Sequence, residues 1–225
     1  MARFRDHQQA LVLRKQGKSY SQIKKELKVS KSTLSLWLRK YPLSKEQINK
    51  LRAWSEIRIE KYRQTMQQKR EIRLLNYYKE EKRKWLPLSL KELYLAGLFL
   101  YWGEGAKTIR SQVSINNTDP DVLKFSLYWM CAVLKIPKEK IQVYLHLYND
   151  MNMSKEIDFW SKTLNMPKRL FSKPYIKKSK RTDLTQKGFG HGTCGLRTNN
   201  TVMKESILMA IQAIADQYGE KVSKI

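Results

Sequence analysis

Apolar residues recur three and four apart along the first forty positions, the spacing of an amphipathic helix. They predict three short helices. Phe4, Ala10, Leu11 and Leu13 give the first its apolar face, and Gly17 stops it. Ser19 or Ser21 caps a second helix carrying Ile23 and Leu27. A tight turn, Lys28-Val29-Ser30, follows, and Ser30 caps a third helix with Leu34, Trp37 and Leu38 on its apolar side. Pro42 ends the module, because it restricts Tyr41 and cannot continue a helix. Residues 44–85 hold no Gly or Pro, and cations outnumber acids. Ile48, Leu51, Ile59, Tyr62, Met66, Ile72, Leu75 and Tyr78 keep no strict heptad there. The stretch reads as a long, basic, solvated helix or helix pair, first a linker and second a phosphate-contacting arm.

Beyond Pro87 the pattern changes to helices mixed with strands. An apolar run over 88–103 predicts a helix that stops at Gly103-Glu104-Gly105. Residues 112–115 alternate polar and apolar as a strand does, with 107–110 as hairpin partner or lead-in. Asp119-Pro120 caps and opens a helix over 121–135. Residues 141–147 alternate cleanly, with Ile141, Val143, Leu145 and Leu147 on one face and Gln142, Tyr144 and His146 on the other. A helix capped by Ser154 runs to 164, followed by a basic extended stretch over 171–181 and a Gly-rich loop. A strand through 194–198 and an amphipathic helix over 202–218 complete the order. Helix, two strands, helix, strand, helix, two strands, helix is an α+β arrangement. The expected organisation is a helix-turn-helix over 1–42, a basic helical linker over 43–86 and an α+β domain over 87–225.

Composition narrows the function. With 225 residues, 41% of them hydrophobic, the chain has material for one medium domain and one small one. A net charge of +25 demands a polyanionic partner, nucleic acid first and a membrane surface second. Glu92 and Glu104 bracket the longest apolar run, which is too short to span a bilayer. No signal-peptide order opens the chain, so a cytoplasmic, nucleoid-associated location is expected. Cys131 and Cys194 read as free thiols. His191 and Cys194 make one zinc pair with no second nearby, and no phosphate-cradling or dinucleotide loop occurs.

Two stretches carry chemistry. Residues 17–38 resemble the helix-turn-helix of resolvases, transposases and many repressors, whose third helix enters the major groove. That likeness implies base-edge contacts from Lys31, Ser32, Thr33 and Ser35, and phosphate contacts from Arg39 and Lys40. A three-helix module that binds a protein is the alternative. The second stretch is Glu104, a carboxylate at a helix C-terminus, an unfavourable end for an anion. Carbonyls and a carboxylate gathered there suit a hard cation such as Mg²⁺ or Mn²⁺.

Leu95-Ala96-Gly97-Leu98 before Gly103-Glu104-Gly105, with Val113 to Asp119 opening the next helix, resembles a LAGLIDADG homing endonuclease domain over about 91–218. The resemblance implies an αββαββα core, here with an extra helix. It also implies Glu104 as metal ligand and catalytic residue, with double-stranded DNA as substrate. A single copy of the motif implies a homodimer. Two extra residues separate its halves and turn the helix by roughly 200°, placing Leu98, Phe99 or Trp102 at the helix contact instead of the small residues. Some relatives, including a class of sporulation regulators, keep this fold beside a helix-turn-helix and do not cut, so a non-cleaving regulator is the alternative. The polar strand faces put Gln112, Ser114, Gln142, Tyr144 and His146 toward DNA, with Arg197, Lys173, Lys177, Lys178, Lys180 and Arg181 for phosphate. Lys107 or Lys177 would stabilise charge on the reacting phosphate.

Overall fold

Ser19, Ser30, Ser44 and Ser89 each begin a helix in the same way, by accepting a hydrogen bond from the third backbone N–H beyond them. At Ser19, Ser44 and Ser89 a Gln or Glu side chain three residues on reaches back to the serine N–H, completing a capping box. A computed structural model of the chain describes residues 2–51, 53–180 and 190–221, with side chains from residue 5. The chain forms two units, Met1–Leu86 and Pro87–Ile225.

In the first unit α1 (Ala2–Lys15), α2 (Tyr20–Leu27) and α3 (Lys31–Leu38) enclose Ala10, Leu13, Tyr20, Ile23, Val29, Leu34 and Leu38. The expected three-helix module is present, although the Phe4 side chain lies outside the described residues. Gly17, at φ +87°, and Lys28, at φ 52°, turn the chain between helices.

Residues 43–86, expected as a basic helical linker, belong to the first unit. Leu43, Ile48 and Leu51 form a small core with Ile57, joining α4 (Lys45–Asn49) to the start of α5 (Trp54–Trp85). Glu60 on α5 is buried, and both its oxygens meet the Arg14 guanidinium, at 3.1 and 2.8 Å. Arg14 also donates to the carbonyls of Lys18 and Tyr41, and the Tyr20 N–H donates to Glu60. A carboxylate answered by a bidentate guanidinium and a backbone N–H binds α5 to the three-helix module. The later part of α5 is solvated, as expected for a charged run, and exposes Ile72, Leu75 and Tyr78.

The second unit is α+β. It runs α6 (Leu90–Glu104), β1 (Gln112–Asn117), α7 (Pro120–Tyr128), β2 (Gln142–Tyr148), α8 (Met153–Leu164), β3 (Tyr175–Lys177), β4 (Thr193–Asn199) and α9 (Thr201–Gly219). The sheet order is β1-β4-β2-β3, with β4 antiparallel to both neighbours and β3 parallel to β2. Val113, Ile115, Val143, Leu145, Leu147, Cys194 and Leu196 point into the helix-covered core with Trp129 and Trp160.

Three local expectations are corrected. Residues 107–110 form no strand: only Gly105 bridges to Ile115, and the chain then turns, with the Gln112 N–H on the Ile109 carbonyl. One strand therefore stands where αββαββα requires two. The helix expected over 121–135 ends as α-helix at Tyr128 and continues as a π turn, Trp129–Val133, which seats Trp129 in the core. Asn152, not Ser154, caps α8, because its side chain reaches the Lys155 N–H.

The buried pair generates a prediction. Glu60→Ala leaves Arg14 charged and buried, and urea denaturation of the full chain should show a loss of about 3–5 kcal/mol. Combining Arg14→Met with Glu60→Leu removes both charges and should recover part of that loss.

Candidate nucleic-acid interface

On α3 the buried Leu34 and Leu38 turn the opposite side outward. Lys31, Ser32, Arg39 and Lys40 are exposed, and Thr33 and Ser35 are half-buried. The Ser30 hydroxyl lies 2.9 Å from Ser32 Oγ and 2.8 Å from Thr33 Oγ1, so a small hydroxyl cluster crowns the helix N-terminus. Leu36, 68% exposed, stands on the same side. Beside it Ser21, Lys24, Lys25, Lys28, Ser30 and Lys31 rim one basic concavity. Sequence reasoning passed over Lys24, Lys25 and Lys28. The four-residue spacings of Ser21 to Lys25 and of Lys24 to Lys28 were the available signal.

At the other candidate centre, α6 ends in Glu104 as expected, and the carboxylate is exposed. Among the described residues it has no hydrogen bond or ion pair. Gly105 stops the helix for a different reason from the one expected. Its φ is −75°, within reach of any residue, but a Cβ there would overlap the carbonyl and ring of Tyr101. The carbonyls beyond the helix end are already engaged. Lys107 Nζ donates to the Gly105 carbonyl at 3.0 Å, and Lys204 Nζ donates to the Ala106 carbonyl and the Tyr101 hydroxyl. Lys204 is fully buried, and burial first, then the Lys107 charge, pulls its pKa below the usual lysine value. Two ammonium groups thus complement the helix C-terminus. Among the described residues no set of three or more His, Cys, Asp or Glu side chains is placed to hold a metal ion. Within one chain Glu104 is a lone carboxylate, and these donors do not fit a divalent cation by themselves. His191 and Cys194 make no zinc pair: His191 Nδ1 meets Glu156 Oε2 at 2.8 Å, its ring stacks on Phe159, and Cys194 is buried.

Of the small residues of α6, Gly97 turns inward, Ala96 is half-buried and Gly103 is exposed. Gly97 is buried against the Trp129 indole, where a Cβ would overlap the ring, while Phe99 and Trp102 stay exposed, stacked at 6.0 Å. With Ile214, Ala215 and Tyr218 of α9 they line an apolar groove.

The sheet face away from the helices gathers most of the remaining expected residues. Cross-strand register sets Gln112 beside Asn199, then Ser114, Arg197 and Gln142 in one row, and Asn116, Gly195 and Tyr144 in the next. His146 then stands beside Tyr175, and Tyr148 beside Lys177. Ser114 is corrected: it lies buried beneath Tyr144, whose hydroxyl is 2.8 Å from Ser114 Oγ and donates to Asn116 Oδ1. The Tyr144 ring crosses β4 over Gly195, where any Cβ would collide with it. Lys173, Lys178 and Lys180 are exposed on either side of β3, and Arg181 lies outside the described residues. Burial, then the Lys177 charge, lowers the pKa of His146 below its ordinary 6.5.

No family model, no curated protein and no solved structure matches this chain.

Two predictions follow from the sheet face. Gly195→Ala should displace the Tyr144 ring and cost about 1–3 kcal/mol in thermal unfolding, the usual penalty of overpacking. The His146 imidazole, followed by NMR, should titrate below pH 6.5, and Lys177→Ala should move it upward by removing a like charge.

Proposed function

We propose that the protein binds double-stranded DNA, reading it with α3. The carrying observation is the outward side of α3, where hydroxyls, Lys31, Arg39 and Lys40 are presented while Leu34 and Leu38 anchor the helix. The basic concavity beside it supports phosphate contact, and the +25 charge supports the polyanion. No described helix is long and apolar enough to cross a membrane.

A second reading adds cleavage by a LAGLIDADG-like dimer. Its support is the free, exposed Glu104 beside the apolar Phe99–Trp102 groove. A helix apolar on all sides calls for cover, and a second copy packed there would bring a second Glu104. The lysine-engaged carbonyls and the single strand between α6 and α7 favour binding without cutting.

Selection of duplex DNA from a random pool, followed by fluorescence anisotropy with the full chain, tests the first reading. Affinity should fall steeply with salt, Lys31→Ala and Arg39→Ala should weaken it, and Arg39→Ala should flatten the salt slope by about one. Unaltered affinity in both variants overturns it. Nicking of the selected site in Mg²⁺ or Mn²⁺, abolished by Glu104→Gln with binding retained, would establish the cleaving alternative.

A further inference from the structure

The open face of the sheet offers rings and cations more than hydrogen-bonding groups. Its polar side chains are largely spent on one another: Gln112 donates to Asn199, Arg197 donates to Gln142, and Tyr144 occupies Ser114 and Asn116. Groups so engaged do not project to read base edges in a duplex groove, which takes donors and acceptors aimed outward. What remains accessible is an aromatic track. Tyr144 and His146 have ring centroids 5.7 Å apart, and His146 and Tyr175 5.4 Å. Tyr175 is 62% exposed on the short strand β3, and Tyr148 continues the same face of β2.

Two cations sit over rings of the β2 row and leave His146 and Tyr175 as the uncovered ones. The Arg197 guanidinium lies 5.1 Å from the Tyr144 ring centroid, and Lys177 Nζ lies 4.8 Å from that of Tyr148. Lys173 and Lys178 stand exposed at the two ends of β3. The ring centroids of Tyr144, His146 and Tyr175 follow one another at 5.7 and 5.4 Å, well beyond the roughly 3.4 Å rise per nucleotide of a duplex strand. Bases at that spacing cannot remain stacked on each other, so the track matches a stretched, unpaired strand.

From this juxtaposition of the exposed Tyr175, the half-buried His146 and Tyr144 and the neighbouring cations we infer that the sheet face of the second unit binds single-stranded nucleic acid by stacking unpaired bases. The inference rests on reading the chain as a nucleic-acid-binding protein, and assigns the sheet a different form of ligand from α3. Such stacking tolerates sequence, because every base has a π face.

The test uses the full chain with fluorescein-labelled 15-nucleotide oligothymidylate, oligouridylate and a selected duplex, read by anisotropy. Tyr175→Ala and His146→Ala should each weaken single-strand binding by about 5- to 100-fold, while Tyr175→Phe and Tyr175→Trp retain it. Duplex affinity should not change in Tyr175→Ala, and single-strand affinity should survive Lys31→Ala with Arg39→Ala. Ring-dependent binding of either oligonucleotide supports the inference, and the stronger arm identifies the sugar. Duplex binding with single-strand affinity within twofold of the unaltered protein in both alanine variants overturns this inference alone. Failure to bind any of the three probes at low salt overturns it together with the reading beneath it. A Tyr175→Ala chain with an unchanged circular dichroism spectrum excludes misfolding, as expected for an edge position.

Discussion

The position of β4, antiparallel to β1 on one side and to β2 on the other, is the constraint on which the second unit depends. Side chains alternate across a sheet with a period of two, so this one register sends Cys194 and Leu196 into the core and Arg197 to the open face. A slip of one residue would bury Arg197 and expose both apolar residues. Gly195 pins the register from the other side. Only a residue without a Cβ lets the Tyr144 ring lie across β4 and reach Ser114 and Asn116 on β1. Tyr144 thereby couples three strands, and its hydrogen bonds close off polar groups that would otherwise face solvent.

A similar economy of small residues shapes α6. Gly97 admits the Trp129 indole, and Gly105 admits the Tyr101 ring beneath the helix end. The Tyr101 hydroxyl and the buried Lys204 ammonium then meet at the Ala106 carbonyl, and Lys107 takes the Gly105 carbonyl. Helix carbonyls without intrahelical partners attract positive charge. Here lysines supply it, where the isolated motif pointed to a metal ion. Glu104 is left exposed at the rim of that node, and Phe99 and Trp102 are left on the surface of a helix that is apolar on every side.

In the first unit the Arg14–Glu60 pair performs the corresponding task. Forty-six positions separate the two residues, yet they lock α5 onto the three-helix module, with the N–H of Tyr20 completing the carboxylate's shell. A buried charge left alone would be costly, so the geometry of the unit is specified by polar as well as apolar contacts. The outward side of α3 owes its presentation to Leu34 and Leu38 beneath it.

Local periodicity and capping chemistry determined much of this protein from sequence alone: the three N-terminal helices, the Ser30 and Asp119 caps, the strand expected over 141–147 and found one position later, and the helix that stops at Glu104. They are legible because each depends on neighbours within a few positions. The alternation of β2 and β4 likewise announced Gln142, Tyr144, His146 and Arg197 as one polar face. Tertiary structure alone decided that Ser114 lies under Tyr144, that Tyr175 stands beside His146, that residues 107–110 pair with nothing as a strand, and that Glu60 and Lys204 are buried. Each of those outcomes turns on which distant residue supplies a ring, a partner or a counter-charge, and no local spacing encodes that choice.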